Sequence, residues 1–500
     1  MDIEQFRKAS LKVIYFICEY LSNIATETVN ADVNPNIKPG YLENLLPGEA
    51  PEDPEEWDNI MDDFVKKIMP GITHWQHPGF HAYFPSGNSF PSILADMLSN
   101  AIGCIGFSWQ AAPACTELEI IVTDWLAKEV GLPNDFLSSS EGGGVIQTST
   151  SECVLVCMLA ARNQAIKTLK EQNQNLEDSA FVQKLVAYCS QEASSCVEKA
   201  AKLFLVKLRI LDSDENGCLR GDTLKVAMEE DKAKGLTPFF VLAMLGSTYT
   251  CSFDDLEEIG QVCKEQQYCW LHVDAAYAGN ALICPEFKHL LKGMEYVDSF
   301  NINPSEWLLV NFDCSCLWVR KRALLINALS INPLYLQHSN DNEATDYRHW
   351  GIPLSRRFRA LKLWFVIRKY GIFGLRSHIN NHIELAKYFE TLVRKDARFE
   401  IVNDVTLGLV CFRLSNGCTA SKELFQLINK SGKIFVTLAK TKNVHFIRFC
   451  VNSEDAKKES MDFSWKIIQE LADHVVVSPA KQELINVLFT KNVLEKTRSL

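Results

Sequence analysis

The chain has 500 residues, of which 47% are hydrophobic and 23% charged, with a net charge of −11 and a pI of about 5.6. This composition is typical of a globular protein with a large core, and the length predicts more than one domain. The acidic balance argues against nucleic acid or an anionic membrane as the main partner. No apolar run approaches the roughly 18 residues that a membrane-spanning helix needs.

The pattern of residues 1–85 predicts helices joined by a proline-rich linker at 46–57. The first helix is amphipathic, and Lys12 and Glu19 interrupt its apolar residues, which is not the pattern of a signal peptide. Such a segment must bury its apolar stripe against a neighbouring domain or a second subunit. We therefore expect residues 1–85 to form an N-terminal dimerisation segment.

From about residue 114, helical patterns alternate with short β-rich runs, the latter at 184–190, 206–211, 239–246 and 269–279. This alternation predicts an α/β fold with a mostly parallel sheet flanked by helices. We assign 86–374 to this large domain and residues 375–500 to a small C-terminal α/β domain. The polar, weakly patterned stretch 328–352 predicts a mobile loop.

The seventeen cysteines include no CxxC pair, and several lie in apolar runs, which predicts buried free thiols and a cytoplasmic location. We expect no metal site. His378 and His382 lie one helical turn apart, but they lack the adjacent glutamate of the zinc-binding HExxH motif.

Three local features suit a phosphorylated, ring-containing ligand. Hydroxyl residues at 148–151 follow a glycine-rich turn and begin a helix, where free N–H groups favour a phosphate, although ordinary N-capping explains one hydroxyl equally well. Asp274 ends a buried strand and needs a cationic partner, either a pyridinium nitrogen or an arginine. Small Ala276 leaves room for a flat ring, and Asn303, expected on the next strand, could donate to the phosphate.

These features resemble the pyridoxal-phosphate enzymes of fold type I, and longer motifs resemble the animal aromatic-L-amino-acid decarboxylases. That family includes the dopa decarboxylases and the insect aldehyde-synthase paralogues. The resemblance covers about residues 1–475 and rests on stretches such as "MPGITHWQHPGFHAYFP", "PACTELE", "WLHVDAAYAG", "WLLVNFDCS" and "TDYRHWGIPLSRRFRALKLWF".

The resemblance implies an obligate dimer that binds pyridoxal 5′-phosphate and converts aromatic L-amino acids to amines. The matching cofactor-binding positions are Ser149, Thr150, Ser151, Thr248, Asp274, Ala276 and Asn303. The matching walls of the aromatic substrate pocket are Trp75, Tyr83, Phe84, Pro85 and Phe107, for which core packing is the alternative. Tyr335 matches the loop tyrosine that returns a proton after carbon dioxide leaves.

Two central positions depart from the family. Glu306 stands where the family has the lysine that forms a Schiff base with the cofactor, and no lysine occurs between Lys292 and Lys321. Ser194 stands where the decarboxylases have a ring-stacking histidine and the aldehyde synthases an asparagine. A carboxylate forms no imine, and two like charges about 4 Å apart repel by about 4 kcal/mol at an effective dielectric of about 20. Cofactor affinity should fall whether Glu306 is charged or takes up a proton.

Three functions are compatible with this sequence. The first is a pseudoenzyme that keeps the fold with catalysis lost or impaired. The second is an active decarboxylase or aldehyde synthase that uses another route. The third is a non-catalytic partner that forms a heterodimer with an active paralogue and contributes Tyr335 to it.

Overall fold

The computed structural model describes residues 1–26, 32–172, 175, 177–340 and 343–475. They divide into two compact units, one of residues 84–383 and one of the described parts of 1–83 and 384–500. Among these residues no helix has both the length and the apolar character required to span a bilayer. The three-part division at residues 85 and 374 stays a prediction.

The helices are, in chain order, α1 Ile3–Thr26, α2 Trp57–Asp63, α3 Phe90–Ile102, α4 Pro113–Val130, α5 Thr150–Gln172, α6 Asp178–Val182, α7 Cys196–Phe204, α8 Gly221–Ala233, α9 Leu256–Lys264, α10 Pro304–Trp307, α11 Arg322–Leu329, α12 Ala360–Arg394 (interrupted at Gly371), α13 Cys418–Lys430 and α14 Lys458–Val475. Short 3₁₀ or π turns lie at Leu42–Asn44, Phe64–Ile68, Met69–Gly71, Asn134–Phe136, Ala278–Ile283, Pro285–Leu291, Met294–Tyr296, Leu334–Leu336 and Tyr347–His349.

The strands are β1 Gly143–Gln147, β2 Leu185–Ser190, β3 Lys207–Leu211, β4 Thr237–Met244, β5 Trp270–Asp274, β6 Ser299–Ile302, β7 Ser315–Val319, β8 Phe399–Ile401, β9 Leu409–Leu414, β10 Thr437–Thr441 and β11 Val444–Cys450. The four β-rich runs predicted between residues 184 and 279 correspond to β2, β3, β4 and β5. The predicted α/β alternation is confirmed.

Within the described residues, the larger unit has a seven-stranded sheet in the order β1-β7-β6-β5-β4-β2-β3. β7 is antiparallel to both of its neighbours, and every other pairing is parallel. Strands β1, β2, β4, β5 and β6 therefore all end at the same edge of the sheet. In an open α/β sheet this carboxyl edge is where ligands bind.

Apart from the partly exposed edge strand β3, the strands of this sheet are apolar because both of its faces are covered. β1, β2 and β5 are buried at every residue, although successive side chains point to opposite faces. Local signals set the helices around them. The Asp255 carboxylate accepts a hydrogen bond from Glu258 N at 3.0 Å and caps α9, and Gly103, at φ 66°, ends α3.

A buried ion pair fastens β1 to its surroundings. Arg356 donates to both Glu119 carboxylate oxygens, at 2.7 and 3.1 Å, and to Ile146 O at 2.8 Å. Glu119 also accepts from Ile146 N at 2.7 Å. Arg356 lies over the ring of Tyr347, whose hydroxyl donates to Gly144 O. These contacts hold the strand that leads into the hydroxyl-rich start of α5.

The second unit is built on a four-stranded antiparallel sheet in the order β10-β11-β9-β8. Segment 79–82 lies beside it, because Phe435 N donates to Gly79 O and Cys450 N donates to His81 O. The His81 ring is buried between Ser464 Oγ and Cys450 O, both 3.0 Å from its nitrogens. The β-rich runs at 407–414, 433–440 and 445–451 predict β9, β10 and β11, whereas the sequence did not predict the short strand β8.

All seventeen cysteines are free, and most are buried. Cys153, Cys157, Cys411 and Cys450 are among the buried ones, which confirms the burial predicted from their apolar surroundings.

Candidate active site

The candidate cofactor residues collect at the carboxyl edge of the seven-stranded sheet. Each follows or ends a strand that terminates there: Ser149 and Thr150 after β1, Ser194 after β2, Thr248 after β4, Asp274 and Ala276 at β5, and Asn303 after β6. Register places β5 and β6 side by side, with Asp274 opposite Asn301. The sequence prediction thus identified residues from five separate strand ends that one edge brings together.

Asp274 is a buried acid, with 2% of its surface exposed. Its Oδ1 accepts hydrogen bonds from Ala276 N at 3.1 Å and Asn301 Nδ2 at 3.3 Å. Burial raises the pKa of Asp274 to about 6, and these two bonds offset part of that rise. No basic side chain among the described residues contributes to this pKa, so the alternative of a structural aspartate–arginine pair is not observed.

The hydroxyls at the start of α5 are not used as ordinary helix caps. Thr148 donates from both N and Oγ1 to Glu152 Oε2, at 3.0 and 2.6 Å. Thr150 Oγ1 accepts from Asn303 Nδ2 at 3.0 Å. Ser149 and Ser151 make no side-chain hydrogen bond with the described part of the chain, so their hydroxyls and the free N–H groups of the helix are available to an anion.

Asn303 joins the elements of this edge. Contrary to the prediction, it lies on no strand, because β6 ends at Ile302 and Asn303 precedes α10. Its Oδ1 accepts from Ser315 Oγ at 2.5 Å, and its backbone N donates to Ala276 O at 2.8 Å. Its Nδ2 donates to Thr150 and, at 2.6 Å, to Glu306 Oε1.

The family motifs also predict a supporting strand and turn over residues 307–315, and this prediction is wrong over most of the stretch. Irregular backbone follows α10, and β7 begins at Ser315. Gly87 shows how closely this segment is packed: its N donates to Ser305 O at 2.6 Å, and an added Cβ would lie 2.7 Å from Val310 O. The loop after Glu306 is therefore held by the chain in front of α3.

Glu306 lies inside this cluster, and only one of its two carboxyl oxygens is satisfied. Oε1 accepts from Asn303, while Oε2 is buried without a hydrogen-bond partner among the described residues. Burial raises the pKa of Glu306 from 4.5 to about 8, the Asn303 bond lowers it, and the nearby charge of Asp274 raises it. The surroundings of Glu306 thus favour its protonated form at neutral pH.

A stack of aromatic rings, which the sequence did not indicate, includes Trp307, the residue that follows Glu306. Phe84 stacks on Tyr277 at 4.1 Å between ring centroids, and Tyr277 stacks on Trp307 at 4.4 Å. Trp307 Nε1 donates to His382 Nδ1 at 3.1 Å. His382 therefore has a structural partner, and the described residues contain no group of three or more potential metal ligands.

The remaining candidates differ in how they are placed. Ser194 Oγ accepts a long bond, 3.5 Å, from Cys196 N at the start of α7, and Thr248 is exposed in the turn after β4. Pro85 is buried and Phe107 partly buried, both in the larger unit, with Phe84. Trp75 and Tyr83 stack on each other at 5.3 Å in the other unit.

Tyr335 is not joined to the cluster in its own chain. It lies in a short 3₁₀ turn, and its side chain is 79% exposed.

One buried lysine was not identified from the sequence. Lys362, on α12, is 2% exposed, and its Nζ has no hydrogen-bond partner among the described residues. Burial lowers its pKa, and the charges that act on it are those of Cys314, Asp96, Asp313 and Arg357. None of these belongs to the cluster around Asp274 and Glu306.

The raised pKa of Glu306 predicts a pH-dependent stability. The folded ligand-free chain keeps a proton on Glu306 up to about pH 8, whereas the unfolded chain releases it near pH 4.5. Folding stability therefore falls as pH rises through this window. The variant Glu306→Gln cannot ionise, so its unfolding free energy relative to the native chain should rise by a few kcal/mol between pH 5 and 8, at about 1.4 kcal/mol per pKa unit.

Urea unfolding of both proteins at several pH values measures this difference. Asp254 and Asp274, whose pKa values burial also raises, are present in both chains and largely cancel. A difference that stays constant from pH 5 to 8 would contradict the buried, protonated Glu306.

Comparison with known proteins places this geometry in a family. The pyridoxal-dependent decarboxylase conserved domain matches residues 39–415. The aromatic-L-amino-acid decarboxylase of Cavia porcellus is 48% identical over 480 residues, which cover 95% of this chain and 99% of that protein.

Two solved structures are also similar along their length. The structure of TDC from Oryza sativa with PLP and tryptamine has a TM-score of 0.90 and 35% identity, covering 95% of this chain and 99% of that one. The 4-hydroxyphenylacetaldehyde synthase of Rhodiola rosea has a TM-score of 0.87 and 38% identity, covering 96% and 100%. The chain therefore belongs to the pyridoxal-dependent decarboxylase family, within its aromatic-L-amino-acid decarboxylase branch.

Proposed function

We propose that this chain is a catalytically impaired aromatic-L-amino-acid decarboxylase that keeps its cofactor site but holds pyridoxal 5′-phosphate without a covalent bond. The observation that carries the proposal is Glu306, a partly buried acid whose Oε2 is enclosed and whose Oε1 accepts a hydrogen bond from Asn303, one of the proposed cofactor residues. The resemblance to the family assigns this position to the cofactor-bound lysine. A carboxyl group cannot replace the amine.

The residues at the edge of the sheet fit the cofactor. Asp274 is buried without a cation, which suits a pyridinium nitrogen. The start of α5, with Ser149, Thr150 and Ser151, offers donors to a phosphate, and Asn303 Nδ2 adds another. Ala276 and Thr248 complete the proposed set, under the ring and near its hydroxyl. When bound, the cofactor supplies an electron-withdrawing ring that stabilises negative charge at the substrate α-carbon.

The state of Glu306 explains how the fold could retain the cofactor. A pKa of about 8 leaves most of the side chain neutral at pH 7. A neutral carboxyl group avoids most of the repulsion that a carboxylate would exert on a bound phosphate. Affinity is lowered by the missing covalent link rather than abolished by charge.

The chain's own residues account for the proposed loss of rate. Glu306 cannot exchange the cofactor onto a substrate amine, and Ser194 is too small to stack on a ring as histidine does. Together these losses should slow turnover by three or more decades, which corresponds to about 4 kcal/mol of barrier.

The substrate class remains aromatic L-amino acids. The pocket walls proposed from the family resemblance are Trp75, Tyr83, Phe84, Pro85 and Phe107. A cytoplasmic location belongs to the same proposal and is supported by the free state of all seventeen cysteines.

Turnover tests the main proposal. The native chain, saturated with pyridoxal 5′-phosphate and given dopa, tyrosine, tryptophan or histidine, should release carbon dioxide at least about a thousandfold more slowly than an active relative. Glu306→Lys should raise the rate by at least about tenfold, and adding Ser194→His should raise it further. Amine and aldehyde products are both measured, so that decarboxylase and aldehyde-synthase activity are distinguished.

The control is Ser194→His alone, which should leave turnover near the native level because the amine is still missing. Enzyme-like rates in the native chain would refute impairment and favour the active-enzyme alternative. A folded Glu306→Lys, Ser194→His double variant without activity would show that other parts of the site have also changed.

We further propose a dimer, with itself or with an active paralogue, in which Tyr335 serves the partner's site. The exposed side chain of Tyr335, unattached to the cluster of its own chain, supports this role. A loop tyrosine that supplies a proton contributes about two to four decades of rate.

Complementation tests the dimer proposal. This chain is co-expressed with an active relative whose own loop tyrosine is changed to phenylalanine, and mixed dimers are isolated through two affinity tags. The mixed dimer should be at least about tenfold more active than the homodimer of the tyrosine-to-phenylalanine relative. Tyr335→Phe in this chain should remove the gain. Recovery of homodimers alone, or a gain that survives Tyr335→Phe, would argue against the role.

A further inference from the structure

Glu306 has a buried oxygen that no group in the described part of the chain satisfies. Oε1 is held by Asn303 Nδ2 at 2.6 Å, which fixes the carboxyl group and leaves Oε2 to carry the proton of the neutral acid and to accept a hydrogen bond once the acid ionises. The backbone is equally fixed, because Glu306 N donates to Asn303 O at 2.8 Å and Trp307 is buried in the aromatic stack. The acceptor is therefore built into the site rather than carried on a mobile side chain.

We propose that this site selects the amine form of the cofactor, pyridoxamine 5′-phosphate, over the aldehyde form, with Glu306 Oε2 accepting from the ligand's ammonium group. This inference rests on the proposed function, since it assumes that the phosphate and ring are held as described above.

The chemistry of the two ligands favours the amine. An ammonium group brings a positive charge to an acid that has no cationic partner among the described residues, and three donors, one of which can bond Oε2. The resulting charge-assisted bond is about twice as strong as a neutral one. An aldehyde brings only an acceptor oxygen, so it must take a neutral hydrogen bond from protonated Glu306 or face a repulsive carboxylate.

The number of acids and cations in the cluster also favours the amine form. Two buried acids, Asp274 and Glu306, face the site, and no basic side chain among the described residues contributes to the pKa of either. Pyridoxamine phosphate carries two cationic centres, the ring nitrogen and the ammonium group, and the aldehyde form carries one. With a single cation Glu306 stays protonated and neutral, whereas the second cation of the amine form lets Glu306 release its proton to solvent and form an ion pair.

Calorimetric titration of the full-length, ligand-stripped chain with each cofactor form tests the inference. We expect pyridoxamine 5′-phosphate to bind at least about tenfold more tightly than pyridoxal 5′-phosphate. In Glu306→Gln, which keeps the size and the contact with Asn303 but not the charge, the ratio should fall to near one, mainly through weaker amine binding. Glu265→Gln, a surface change at the partner of Lys225, should leave the ratio unaltered.

Equal or tighter binding of the aldehyde form to the native chain would overturn this inference while leaving the cofactor site intact. Binding of neither form would overturn the proposed function as well. Asp274→Asn separates the two cases further, because it should weaken both ligands if the ring is held as proposed. An amine preference that persists in Glu306→Gln would also count against Glu306 as the acceptor.

Discussion

The side chain of Asn303 ties together the carboxyl edge on which the candidate site depends. It accepts from Ser315 at the start of β7, bonds Thr150 at the start of α5 and donates to Glu306 on α10. Each of these groups lies at the polar end of an otherwise buried apolar sheet, where an unsatisfied donor or acceptor costs about 1–3 kcal/mol. The network fixes the relative positions of the proposed phosphate donors and the altered residue before any ligand binds.

That network also explains how the fold accommodates an acid at position 306. Glu306 takes up a hydrogen bond from Asn303 and loses its charge through a raised pKa, so the sheet edge tolerates it. Asp274 remains buried and available for a ring cation. Under the proposed function, the fold keeps the residues that would hold a phosphorylated ring, while Glu306 supplies no amine to activate it.

Local patterns in the sequence were sufficient to predict the parallel strands and the position of Asp274. A buried strand followed by a turn places its last residue at the carboxyl edge of the sheet. They were not sufficient to predict the position and direction of β7, which runs antiparallel between β6 and β1. Strand order depends on contacts between segments far apart in the chain. For the same reason, the sequence did not predict the Phe84–Tyr277–Trp307 stack or the buried amine of Lys362. The family motifs identified Glu306, but only the fold reveals its bond to Asn303 and its free oxygen.

The measurement that tests the central claim most directly is borohydride reduction of the purified chain with pyridoxal 5′-phosphate, followed by intact-mass and peptide mass spectrometry. A non-covalent site predicts that the cofactor is recovered free on denaturation and that no lysine carries a stoichiometric adduct. A single stoichiometric adduct on a lysine, Lys362 included, would contradict the account, because the chain would then have replaced the missing amine.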